Sequence, residues 1–89
     1  MATTLTAAWS KDGKHVKLEM NIDGRVWRRE VAANGELTVR EAAQLAGVAP
    51  VTVLRWITDG HLVARNGSER TTTVRASDVR ECSRNRGLL

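Results

Sequence analysis

At 89 residues, with 42% apolar content, this is one small domain or a domain with a compact extension, and it buries only a modest core. A single cysteine, Cys82, excludes an intrachain disulfide and a cysteine-rich metal site; the chain also lacks both a signal-peptide pattern and an apolar run of the ~20 residues a membrane span needs, which points to the cytoplasm. The net charge of +4 suits nucleic acid or an acidic membrane surface, and equally a merely soluble, mildly basic domain.

The first third alternates. Leu5, Ala7 and Trp9 share one parity, and Val16, Leu18, Met20 and Ile22 follow with polar residues between them. A period of two marks half-buried strands. Asp12-Gly13 and Asp23-Gly24 separate the runs, and Asp-Gly suits a two-residue type I′ turn, whose central residues both need positive φ. The register this implies sets Trp9 against Val16, Ala7 against Leu18, Leu5 against Met20, Met20 against Trp27 and Val16 against Val31. All lie on one face of a three-stranded antiparallel meander, with Arg29 on the same face as an oddity. Such a meander needs a surface to pack on. Ala33-Asn34-Gly35-Glu36 is a turn-prone break.

Thr38-Val39-Arg40-Glu41 has the form of a capping box. An apolar stripe of Val39, Ala42, Ala43 and Ala46 then predicts a helix ending at Gly47. Pro50 fits the first turn of a second helix. Val53, Trp56 and Ile57 form its inner face, Thr52 and Arg55 its outer face, and Val51 stands one turn before Arg55. Residues 61–65 and 71–75 are β-prone around a polar tip at residues 66–70, predicting a hairpin. Residues 76–84 predict a last short helix with Val79 and Cys82 inward. Arg80, Arg84 and Arg86 read as solvated, and residues 85–89 as a frayed tail. All eight basic residues after position 36 are Arg, the side chain whose planar fork fits phosphate and guanine.

Leu37-Thr38, Glu41 with Ala43, Gly47-Val48, Thr52-Val53, Trp56, and Gly60 with Leu62 stand at spacings that resemble the MerR-type winged helix-turn-helix. The minimal branch is the nearest in form: phage and plasmid excisionases and small BldC-like regulators. The resemblance covers residues 37–83. It departs at the wing tip, where Asn66-Gly67-Ser68-Glu69-Arg70 replaces a Gly-Gly-His-Arg-Arg-like run. No effector domain or long dimerisation helix is present, so drug or metal sensing is not implied. The resemblance implies double-stranded DNA as partner, with a recombinase or RNA polymerase beside it, and a homodimer or cooperative tandem binding on DNA.

The fold expected is therefore α+β: an N-terminal β-meander extension over residues 1–35, a winged helix-turn-helix over 36–84 and the tail. The candidate DNA-binding residues are Arg40, Val51, Thr52, Arg55, Arg65, Arg70 and Arg75. Arg55 suits a guanine edge and Thr52 a phosphate or thymine methyl. Arg40 suits a phosphate, and at least one of the wing arginines does too. No nucleophile–base pair, phosphate loop or metal-ligand spacing is present, so no enzyme activity, cofactor or metal is expected. The function read is sequence-specific DNA binding, as an excisionase or a transcription regulator. The alternative is a protein-interaction module, antitoxin-like or adaptor, with the meander as its working surface. The meander itself has three readings: a structural cap, a dimer surface, or a second DNA element using Lys11, Lys14, Lys17, Arg25 and Arg28.

Overall fold

Thr3–Trp9 (β1), His15–Ile22 (β2) and Arg25–Ala32 (β3) pair antiparallel in that order in the computed structural model, which describes residues 3–65 and 72–85. Every pair that the alternation predicts is present, from Leu5 against Met20 to Val16 against Val31. The two turns differ. Asp23 and Gly24 both take positive φ, 51° and 85°, as a type I′ turn requires. At the first turn only Gly13 does, so the expected two-residue loop gives way to a wider one over residues 11–14. The cause is Asp12. Its carboxylate accepts from the Ser10 hydroxyl and, at 3.0 Å, from the Lys14 amide. This Asx-type arrangement turns the chain with one left-handed residue. The same two donors, the Ser10 hydroxyl foremost, hold the Asp12 carboxyl below its ordinary value of 3.8.

Glu36–Thr38 (β4) leads directly into Val39–Ala46 (α1). Thr38 and Glu41 form the reciprocal capping box: the Glu41 amide donates to Thr38 Oγ1 at 3.1 Å and the Thr38 amide to Glu41 Oε1 at 2.9 Å. Gly47 closes α1 at φ 73°, in the left-handed region where a side chain would be strained. Pro50–Thr58 (α2) follows.

Thr73–Arg75 (β5) and Ala76–Asn85 (α3) complete the chain. β5 does not take the partner that the expected hairpin would give it. Residues 61–65 are not a strand, and β5 pairs instead with β4, setting Leu37 beside Val74. Both side chains are fully buried, so the pairing joins two apolar positions that a hairpin would leave apart. Leu62 is drawn the other way: its amide and that of His61 donate to the Trp56 carbonyl, closing the end of α2. One backbone bond, from Arg65 N to Thr73 O at 2.7 Å, links the two arms of the expected wing. The wing tip, Arg70 and Arg86 lie outside the described residues. Asn85, read as tail, ends α3.

A continuous core runs through both halves: Val16 and Leu18 of the meander, Leu37, Ala42, Ala43, Val53, Trp56, Leu62, Val74, Ala76, Val79 and Cys82. Each large side chain removed from water contributes roughly 1.5–3 kcal/mol, so the shared core holds the meander firmly on the helices. Polar clamps add to it. Arg29, the oddity on the apolar face, donates to both carboxylate oxygens of Glu41 at 2.7 and 2.8 Å. Arg80, expected in solvent, lies 4.2 Å over the Trp9 ring and donates to the Gly13 carbonyl at 3.1 Å. The Ala33 and Gly35 carbonyls accept from the Ser77 and Ala76 amides at the start of α3.

Candidate nucleic-acid interface

α1 and α2 pack together across the Gly47 turn, and the packing sorts the faces of α2. Trp56 is 3% exposed and Val53 fully buried, which fixes the helix by its inner edge. The opposite face carries, at helical spacing of three and four, Val51 at 61% exposure, Leu54 at 48%, then Arg55 and Thr58, all open to solvent. Among the described residues no strand covers them.

The expected residues divide accordingly. Val51 and Arg55 stand on this open face. Thr52 is half-buried, at its flank rather than its centre. Leu54 was missed. Its signal was present: with Val53, Trp56 and Ile57 inward, the complementary positions at helical spacing are 51, 54, 55 and 58. Arg40 is exposed on α1 and lines a cleft with Gln44, Val48 and Pro50, so it sits beside the entrance of α2. The far wall of that cleft is the meander, through Thr3, Leu5 and Met20. Arg65 is exposed. Arg75 is only half exposed, in β5 opposite Glu36, and its Nε is buried without a hydrogen-bond partner. With Thr52 it is one of two described candidates that are only half exposed.

The two helices begin differently. α1 has a complete capping box and an acid, Glu41, in its first turn. α2 begins after Ala49 with no side-chain cap and no acid in its first turn. An alanine in that position costs about 1 kcal/mol against Ser, Thr, Asp or Asn. It also leaves the positive end of the helix dipole unneutralised, which suits an anion such as phosphate.

Among the described residues, no group of three or more His, Cys, Asp or Glu side chains could hold a metal ion. No helix there is long and apolar enough to cross a membrane. Cys82 is buried within α3 against the core.

No curated protein and no solved structure matches the chain. A family model described as a helix-turn-helix domain matches residues 36–86, more than half of the chain, taking in β4, all three helices and β5. The chain belongs to the helix-turn-helix domain family, a family of DNA-binding modules.

Proposed function

We propose that this chain is a sequence-specific double-stranded DNA-binding protein of the minimal MerR or excisionase kind, with α2 lying in the major groove. One observation carries the reading: α2 presents Val51, Leu54, Arg55 and Thr58 free of the protein's own β layer, within a helix-turn-helix match. Arg55 takes a guanine edge through its two-pronged guanidinium, and Val51 and Leu54 touch thymine methyl groups. Thr52, at the flank, serves a backbone phosphate near the uncapped start of the helix. Arg40 adds a phosphate contact from α1. Arg65 adds a contact along the backbone, and Arg75, half exposed in β5, has a supporting place. The protein binds rather than catalyses. Its job is that of a small transcription regulator or of an excisionase that bends DNA beside a recombinase.

Selection of bound duplexes from a random pool tests this. The expected result is an enriched motif whose affinity falls steeply as salt rises, since phosphate contacts release counterions. Recovery of a promoter operator favours the regulator, and closely spaced direct repeats with strong bending favour the excisionase. A pool that emerges without any enriched motif contradicts sequence-specific binding.

A further inference from the structure

β3 is the least covered element of the fold. It is an edge strand, bonded to β2 on one side only. Seven of its eight residues are exposed and Val31 is half-buried. Trp27, on the face that looks toward the helices, is 61% exposed. A long open strand edge carrying large apolar side chains is a template for pairing with another chain. The orientation of its free hydrogen-bonding groups follows from the ladder. The Ala33 amide donates to the Lys14 carbonyl at 2.9 Å, just beyond the pair Val16–Val31. Odd-numbered residues of β3 therefore bond inward to β2, and Val26, Arg28 and Glu30 turn their N–H and C=O outward.

We propose that β3 pairs with β3 of a second copy of this chain, antiparallel and centred on Arg29, joining the two sheets into one. The strand is self-complementary in that register. A two-fold axis through the sheet keeps every residue on its own face, so Trp27 meets Val31 of the second copy and Arg28 meets Glu30 of the second copy. Within each chain Arg28 already pairs with Glu19, at 3.1 Å, and Glu30 lies opposite Lys17. The outer face of the joined sheet then reads Glu19, Arg28, Glu30, Lys17 across the seam, alternating in sign, and the symmetry repeats it. Neighbouring registers lose this. Centring on Arg28 sets Trp27 against Arg29 and Val26 against Glu30. Centring on Trp27 opposes Arg25 and Arg29, and centring on Glu30 opposes two glutamates. The one like-charge contact in the chosen register is Arg29 with its own copy, and each of these guanidinium groups is already held by Glu41. The axis also places both helix layers on the same side of the joined sheet.

Sedimentation of the full chain without DNA, combined with amide hydrogen exchange, tests the proposal independently of whether the protein binds DNA. The expected result is a concentration-dependent dimer in which the Arg28 and Glu30 amides become protected in step with the dimer fraction. Glu30→Lys, an exposed substitution, should weaken the dimer at least about tenfold, because it sets like charges opposite one another and does so twice. A chain that stays monomeric at several hundred micromolar overturns the proposal. So does a dimer whose Arg28 and Glu30 amides exchange as fast as those of the exposed turns.

Discussion

Glu41 joins two kinds of stabilisation in one carboxylate. It returns to the Thr38 amide to close the cap of α1, and it holds Arg29 of the meander through both oxygens. The cap was legible in the sequence because its residues stand three apart. The ion pair was not, because it depends on how the sheet docks on α1; Arg29 on an apolar face looked like an objection to the meander and is one of its attachments. Arg80 is the same kind of case, a cation whose partners Trp9 and Gly13 lie far away in sequence. Replacing Glu41 by Ala should cost about 1–2 kcal/mol, from the lost cap and a charge-assisted contact moderated by the half-exposed Arg29. Glu41→Gln, which keeps an acceptor for the Thr38 amide, should lose less. Urea denaturation of the three proteins gives the order directly, and equal midpoints would remove Glu41 from this role.

At the level of elements, what is local was readable and what is remote was not. Alternation and the two Asp-Gly pairs give the whole meander register, even though Asp12 replaces one of the tight turns by a wider loop. Capping residues and Gly47 bound α1, and Pro50 starts α2. β5 was expected as an arm of the hairpin, but β4 escaped notice because three residues are too short to display a period, and the pairing of residues 36–38 with 73–75 is remote in sequence. The expected partner of β5 lay nearer in sequence, but Leu37 beside Val74 buries two apolar side chains at once. The connection between meander and helices is likewise specific. A Cβ on Gly35 would stand 2.4 Å from Val31 Cγ1 and 3.0 Å from the Ala32 carbonyl, at the point where that loop accepts from the start of α3. Gly35→Ala should therefore destabilise the protein by about 1–3 kcal/mol through overpacking, with the open face of α2 untouched. Thermal denaturation checks the first part, and DNA binding below the transition checks the second.

For the whole molecule, the helix-turn-helix does not stand alone: Val16 and Leu18 of the meander are buried in the same core as Trp56 and Val79. The apolar face of the meander was evident from parity. Which part of it would be covered was not, since that depends on the width of the helical layer. The helices cover the end near Trp9, Val16 and Val31 and leave Trp27 bare. The result is a two-sided particle, with α2 open on one side and the β3 edge on another. Whether α2 reads base edges is decided by the affinity and base preference of Arg55→Ala on the duplex selected by the unaltered protein. Arg55 is exposed, so its fold should survive the change. The expected result is about a tenfold or greater loss of affinity for that duplex, with relaxed preference at one base pair and residual binding that remains salt-dependent. Unchanged affinity together with unchanged preference would contradict it.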